Sequence, residues 1–201
     1  MLSEIKDFKD LHSSKRCFII ASGPSLKDLD LEPLNRRITI GLNRSFLAFE
    51  RATYHCVFDY RLYELYEKEL QNSRYLFTLE DRPFGIPLTL LGTNGFSWDL
   101  EEGIYSGYTI SYFALQLAAY MGFKEIFFLG LDLNNTEKET HFFGHDYSSN
   151  NHNNTEYPKM MKSFEKISET LKVRGIKVYN CSPKSKLKCF PFMSYEDAIK
   201  L

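Results

Sequence analysis

The sequence has no excess of positive charge, no paired cysteine motif and no apolar run long enough to span a bilayer. Its formal net charge is -1, which argues against a nucleic-acid-binding protein because such proteins normally carry a basic excess. The four cysteines lack the two-residue spacing of a zinc site, and the chain does not open with a basic segment followed by an apolar one. We therefore expect a cytoplasmic protein with no nucleic-acid partner.

What the sequence does have is a regular alternation of short β-rich runs and helical patterns. This alternation is typical of a parallel sheet flanked by helices, and it predicts an α/β fold: a Rossmann-like, doubly wound, mostly parallel sheet with helices on both faces. With 201 residues, 43% of them hydrophobic, and no repeat or linker, we expect one nucleotide-binding domain over 1–201. The predicted strands are 16–21, 38–42, 54–58, 75–79, 125–130 and 177–180, and the predicted helices are 61–71, 109–121 and 158–174.

The first predicted strand runs into a turn of small residues, which we call the opening turn: Ser22, Gly23, Pro24 and Ser25. Ser25 and Asp28 have the spacing of a capping box at the start of a helix. Because glycine permits a close backbone approach and the N–H groups at a helix start attract anions, the turn suits a phosphate. The alternative is an ordinary turn from strand to helix.

A long polar segment, 131–157, follows the fifth predicted strand. A loop of this length inside a compact domain is typically a functional lid or a disordered segment, and its aromatic and histidine content favours a lid. His141 and His145 lie in it and either act at a site or anchor an aromatic loop. Since this loop and the opening turn both follow the carboxyl ends of strands, where open α/β sheets bind ligands, we expect them to face the same crevice.

Polar residues also follow several of the other strands. Asp59 and Asp132 have carboxylates that could bind a ligand hydroxyl or a metal, or cap a loop. Asn43 is either a ligand contact or a turn residue that tolerates left-handed geometry. Asn180 and Ser182, after the last strand, either reach a nucleotide base or form a turn.

Several motifs resemble those of the 6-hydroxymethylpterin diphosphokinase-like family. Their order is also similar to that of the bacterial sialyltransferases of glycosyltransferase family 42, which have a small-residue turn, an asparagine element and a histidine lid. The resemblance covers nearly the whole chain and rests on residues 19–26, 41–43, 114–126, 130–132, 178–183 and 190–191, with 141–145 matching the lid.

The sialyltransferase resemblance implies a metal-independent, inverting transfer of a sugar from a nucleotide-activated donor, CMP-linked and sialic acid-like. The acceptor would be a glycan or lipid-linked glycan of a bacterial surface-glycan pathway. His145 would be the general base, and His141 would orient the loop or contact the acceptor. Asn43 and the opening turn would hold the donor, and Thr109 would stand at a helix start that faces the leaving phosphate.

Two other functions stay open at the level of sequence. The diphosphokinase resemblance implies ATP and Mg²⁺ held by Asp59 and Asp132. The third is a nucleotide-binding protein without catalytic activity, because one scaffold hosts many reactions.

The stretch 159–188 is strongly basic. It holds nine lysines and arginines and two glutamates, so nine minus two gives a side-chain charge of +7. Such a stretch could contact an anionic membrane surface, or it could be a solvated helix face. The sequence predicts no oligomeric state.

Overall fold

A seven-stranded sheet, parallel throughout, forms the centre of the molecule. The computed structural model describes residues 2–134, 140–144 and 149–201, with only the backbone described for 149–155. The strand order is β5-β4-β3-β2-β1-β8-β9, and β6 and β7 form a separate parallel pair. The strands are β1 Arg16–Ile20, β2 Thr39–Leu42, β3 Tyr54–Cys56, β4 Leu76–Leu79, β5 Ile86–Leu88, β6 Leu90–Gly92, β7 Ile104–Tyr105, β8 Glu125–Leu129 and β9 Lys177–Asn180.

Helices cover both faces of the sheet. The α-helices are α1 Tyr60–Leu65, α2 Glu67–Gln71, α3 Ile110–Tyr120, α4 Ser149–Val173 and α5 Tyr195–Lys200, and short 3-10 helices span Ile5–Phe8, Pro24–Asp28, Glu32–Arg36 and Asn43–Leu47.

Buried side chains of β1 alternate between these two helical layers. Cys17 and Ile19 belong to a cluster that includes residues of α3 and α4, whereas Phe18 and Ile20 belong to a cluster that includes residues of α5. This alternation is what a strand covered on both sides requires. The predicted doubly wound α/β fold is confirmed.

The strand order reverses between β1 and β8. From β1 the chain adds β2 to β5 on one side, and it later returns to place β8 and β9 on the other, so that Phe18 pairs with Thr39 and with Phe127. At such a reversal the connections after the two neighbouring strands diverge to opposite faces and leave a crevice outside the carboxyl ends. The opening turn after β1 and residues 130–134 after β8 both line that crevice.

Three predicted elements differ from the observed ones. The predicted helix 61–71 is two helices, α1 and α2, because the backbone of Tyr66 leaves helical geometry. Helix α4 begins at Ser149, and Pro158, the first residue of the predicted helix, lies in its interior. The predicted loop 131–157 is therefore too long. The opening turn leads into the 3-10 helix Pro24–Asp28, whose N-cap is Gly23, and the predicted capping box on Ser25 is wrong.

Candidate functional site

A cavity of about 280 Å³ lies at the strand-order reversal, and we call it the switch-point cavity. Its walls come from the ends of β1, β2 and β8, the start of α3 and the predicted lid, so the opening turn and the lid do face one crevice. The described lining residues are Ala21, Ser22, Gly23, Pro24, Leu42, Asn43, Tyr108, Thr109, Ile110, Ser111, Gly130, Leu131, Asp132, Leu133, Asn134, Thr140, His141, Tyr157 and Met160.

The opening turn is hydrogen bonded to the end of β8. The N–H of Gly23 donates to the carbonyl oxygen of Gly130 at 2.8 Å, and the N–H of Ser25 donates to Oδ2 of Asp132 at 2.9 Å. The Ser25 hydroxyl donates to Oδ1 of the same carboxylate at 2.6 Å. These two N–H groups already have acceptors within the protein. They are therefore not available as the phosphate donors that the sequence predicted for the opening turn.

Gly23 has a structural reason to be glycine. A Cβ added there would lie 2.4 Å from Oδ2 of Asp132 and 2.4 Å from the carbonyl oxygen of Gly130. The φ of Gly23 is an ordinary -66°, so the requirement is for space and not for an unusual backbone conformation. The glycine therefore lets the turn pack against β8, whereas we had expected it to admit a phosphate.

Asp132 forms a buried, negatively charged wall of the cavity. It is 6% exposed, and both carboxylate oxygens accept hydrogen bonds from Ser25. A second cavity of about 280 Å³ lies against Asp132, Ser25 and Pro183, so this wall separates two hollows. A carboxylate in this setting repels a phosphate placed beside it. We call Ser25 and Asp132 the Asp132 wall.

The opposite wall is built around Asn43, which follows β2. Asn43 has a φ of 46°, as expected for a left-handed turn residue, and its carbonyl oxygen accepts a hydrogen bond from Nε2 of His55 at 2.7 Å. Its Oδ1 is buried and has no hydrogen-bond partner among the described residues. A buried polar atom without a partner costs free energy unless a ligand or water satisfies it. We call Asn43 and its support by His55 the Asn43 wall.

The start of α3 completes this side of the cavity. Thr109 is the N-cap, and its hydroxyl oxygen accepts a hydrogen bond from the N–H of Ser111 at 3.3 Å. Thr109, Ile110 and Ser111 all line the cavity, and the positive end of an 11-residue helix dipole therefore points toward it. The predicted helix start at Thr109 is confirmed, and this end of the cavity favours an anionic group.

Residues 140–144 of the predicted lid are hydrogen bonded to the opening turn. The N–H of Phe142 donates to the carbonyl oxygen of Ser22 at 2.9 Å, and His141 and Gly144 exchange backbone hydrogen bonds of 3.1 Å. The His141 ring stacks on Phe143, and its Nδ1 lies 3.0 Å from the Thr140 hydroxyl. His145, the predicted general base, lies outside the described residues.

Four of the predicted site residues are absent from the described lining of the switch-point cavity: Ser25, Asp59, Asn180 and Ser182. Asp59 is exposed and caps α1 by accepting the N–H of Arg61 at 3.0 Å. Asn180 is buried and donates to the carbonyl oxygen of Leu131 at 3.1 Å, while its Oδ1 accepts the N–H of Ser182 at 3.1 Å. Asn180 and Ser182 therefore hold the chain after β9 against the chain after β8.

Asp59 and Asp132, the carboxylates that would hold magnesium in the diphosphokinase alternative, are each engaged within the protein. Asp59 is used as a helix cap, and both oxygens of Asp132 are bonded to Ser25. Within the described ranges, no group of three or more His, Cys, Asp or Glu side chains is arranged to hold a metal ion.

Sequence reasoning missed two groups of this site, His55 and Tyr157. His55 is 3% exposed, and burial lowers its pKa from 6.5 to about 4, so the imidazole is neutral at physiological pH. Tyr157 lines the cavity, and burial, with a smaller contribution from the charge of Asp132, raises its pKa, which keeps its hydroxyl protonated. The one signal for His55 was a polar residue inside an apolar strand.

The basic stretch 159–188 is partly neutralised. Lys159, Lys172 and Lys177 pair with Glu156, Glu169 and Glu125 at 2.7, 3.2 and 3.7 Å. Membrane contact through this stretch stays a prediction. Within the described parts of the chain, no helix has both the length and the apolar character that crossing a bilayer needs.

No protein-family model and no curated protein matches the sequence. Among solved structures, the chain is similar to the sialyltransferase CstII from Campylobacter jejuni in complex with a substrate analogue, cytidine-5'-monophosphate. The TM-score is 0.55 over 90% of this chain and 86% of that chain, at 16% sequence identity. The chain therefore has a sialyltransferase-like fold. A second CstII structure, in complex with CMP-3FNeuAc, aligns over 90% of this chain and 85% of that chain at 16% identity with a TM-score of 0.47. The diphosphokinase part of the resemblance receives no support.

Proposed function

We propose that this chain is a glycosyltransferase that takes a sugar from a CMP-linked, sialic acid-like donor and transfers it, with inversion and without a metal, to a glycan or lipid-linked glycan. The observation that carries the proposal is the switch-point cavity, which combines a helix N-terminus with the unpartnered Oδ1 of Asn43. The similarity of the fold to the CstII structure that was solved in complex with cytidine-5'-monophosphate supports CMP as the nucleotide.

The charges around the cavity suggest how such a donor would lie. The phosphate would sit at the start of α3, where the helix dipole favours negative charge. It would avoid the Asp132 wall, whose carboxylate repels it. Oδ1 of Asn43 would accept a hydrogen bond from a hydroxyl or amine of the donor.

His145 is the proposed general base, since an inverting transfer needs one group to take the proton of the acceptor hydroxyl as CMP leaves. His141 is the alternative candidate for the general base, because it lines the cavity. The pair can be separated by replacing each histidine with alanine. We expect His145→Ala to abolish transfer while CMP affinity changes by less than about threefold, and His141→Ala to retain transfer. The reverse pattern would give the role of base to His141.

A thermal-shift panel tests the nucleotide first. CMP, CDP, UDP, ATP and GTP would each be added with EDTA and with Mg²⁺. At about 100 times its Kd a ligand stabilises the native state by about 2.7 kcal/mol, which for a chain of this size raises Tm by about 5 °C or more. We expect that shift with CMP in EDTA. A shift with ATP alone, and only with Mg²⁺, would contradict the proposal.

Donor hydrolysis and transfer are the second measurement. CMP release from CMP-N-acetylneuraminic acid would be followed in EDTA with and without sialyl-accepting glycans. CMP binding without turnover of this or related CMP-linked donors would favour the non-catalytic nucleotide-binding function.

A further inference from the structure

We propose that His55 is a positioning residue for the nucleotide site: its imidazole fixes the Asn43 peptide so that the Asn43 carboxamide faces the switch-point cavity. The inference rests on the proposed nucleotide-binding function and names a residue that does not itself line the described cavity. His55 acts from β3, one strand farther from the strand-order reversal than Asn43.

The direction of the hydrogen bond fixes the chemistry of His55. A backbone carbonyl can only accept, so Nε2 of His55 must carry the proton in its 2.7 Å contact with the Asn43 carbonyl oxygen. Nδ1 is then the unprotonated nitrogen of the neutral ring. The low pKa that burial gives His55 keeps the ring neutral at physiological pH, and the Asn43 carbonyl selects the tautomer.

Asn43 needs such support because its backbone is in the left-handed region, with φ of 46°. For a residue other than glycine this conformation costs free energy. It persists where hydrogen bonds to the surroundings hold the peptide. The bond from His55 supplies that hold. Asn43 lines the cavity with its peptide held in this way, and its buried Oδ1 has no partner among the described residues.

The His55 ring packs closely against Gly41. A Cβ on Gly41 would lie 2.7 Å from Nδ1 of His55 and 2.9 Å from Oγ of Ser45. Ser45 in turn accepts the N–H of Leu42 at 2.8 Å. The glycine of the Gly41-Leu42-Asn43 motif is therefore explained by the imidazole that packs beneath it, and the motif and His55 form one unit.

The test compares two replacements of His55. His55→Gln can place a side-chain N–H near the position of Nε2, whereas His55→Met fills similar space without a donor. We expect His55→Met to weaken CMP binding by about tenfold and His55→Gln to retain affinity within about threefold, as measured by isothermal titration calorimetry. In an Asn43→Ala background, His55→Met should cause no further loss, because residues that act through one another are not additive.

The matched control is His12, a histidine less buried than His55 whose ring also has a polar neighbour. Its Nε2 lies 2.6 Å from the hydroxyl of Tyr54, the first residue of β3, and its ring stacks on Phe123. His12→Met should change stability and leave CMP affinity unchanged. Equal losses of affinity in His12→Met and His55→Met would show a general effect of removing a buried imidazole and would overturn the inference.

A spectroscopic measurement keeps the inference testable if His55→Met does not fold. In ¹⁵N-labelled native protein, saturation with CMP should shift both the Asn43 carboxamide and the His55 Nε2–H resonances. Their failure to shift, or an unchanged affinity in His55→Met, would overturn the inference alone. Absence of CMP binding by the native protein would overturn the proposed function and, with it, this inference.

Discussion

The two walls of the switch-point cavity differ in how their polar groups are satisfied. In the Asp132 wall, Ser25 and Asp132 satisfy each other through two hydrogen bonds. In the Asn43 wall, His55 satisfies the backbone of Asn43, and Oδ1 has no partner among the residues that the structure describes. The first wall is complete without a ligand, whereas the second has an acceptor that a ligand can use.

This difference changes the interpretation of the opening turn from a phosphate-binding turn to a packing element. Its glycine and serine have the composition of a phosphate-binding turn, yet they serve the packing of β1 against β8. The anion-attracting feature stands across the cavity at the start of α3. We therefore expect variants of the Asp132 wall to affect folding more than binding, and variants of the Asn43 wall to affect binding more than folding.

The largest effect is expected from Gly23→Ala. The new methyl group would have to displace Gly130 or Asp132, since it would lie 2.4 Å from an oxygen of each. The free energy of unfolding should fall by about 3 kcal/mol or more, measured by urea denaturation. The control is Ser22→Ala in the same turn, which should change it by about 0.5 kcal/mol or less. If Gly23→Ala were fully stable and had lost CMP binding, the opening turn would be a phosphate-binding turn after all. The proposed difference between the two walls would then be wrong.

The stability of the protein should depend on pH because the His55 imidazole in the Asn43 wall is buried. His55 titrates near 6.5 when unfolded and near 4 when folded, so between these values the unfolded chain binds more protons. Stability should therefore be complete above pH 6.5 and fall by about 3 kcal/mol as the pH drops toward 4. Urea denaturation at a series of pH values measures this.

The control for that pH dependence is His55→Gln, which has no group that titrates in this range. Other carboxyl groups contribute to acid unfolding in both proteins, so the difference between the two curves isolates His55. Parallel curves would mean that the imidazole is hydrated in the native state, and that His55 does not hold Asn43 rigidly.

The sequence predicted the sheet well because its central strands are continuous apolar runs. β1, β2 and β8 were predicted to within a residue or two, and so was the helix that follows Thr109. Strands β5 to β7 were missed because they have only two or three residues each, too few for a periodic pattern. Pro87 in β5 also argued against a strand.

The candidate site was harder to predict because residue type does not reveal the partner. Asn43, Thr109, Asp132 and His141 reach the cavity as predicted, yet Asp132 is engaged by Ser25, a residue 107 positions earlier in the chain. His55 supports Asn43 across two neighbouring strands, a contact that only the sheet register determines. The local sequence pattern could place a polar residue at the end of a strand. It could not show which group would be the hydrogen-bond partner of that residue.

An intermediate effect is expected from Asp132→Asn. The asparagine offers one acceptor oxygen where Ser25 uses two, and its amide N–H₂ would face a donor. Stability should fall by about 2 kcal/mol, while CMP affinity of the folded protein changes by less than about threefold. Ser25→Ala removes the hydroxyl and keeps the N–H, so a loss of about 1 kcal/mol is expected. A large loss of CMP affinity with unchanged stability would make Asp132 a ligand contact.

The smallest effect is expected from Asp59, the other carboxylate that follows a strand. Like Asp132 it is satisfied within the protein, since it caps α1 by accepting the N–H of Arg61. Asp59→Ala should therefore cost about 1 kcal/mol, and Asp59→Ser, which keeps a capping oxygen, should recover most of it. CMP affinity should be equal in all three proteins, with or without Mg²⁺. If Asp59→Ala instead removed a Mg²⁺-dependent binding of ATP, the carboxylates after the strands would be metal ligands and the diphosphokinase function would return.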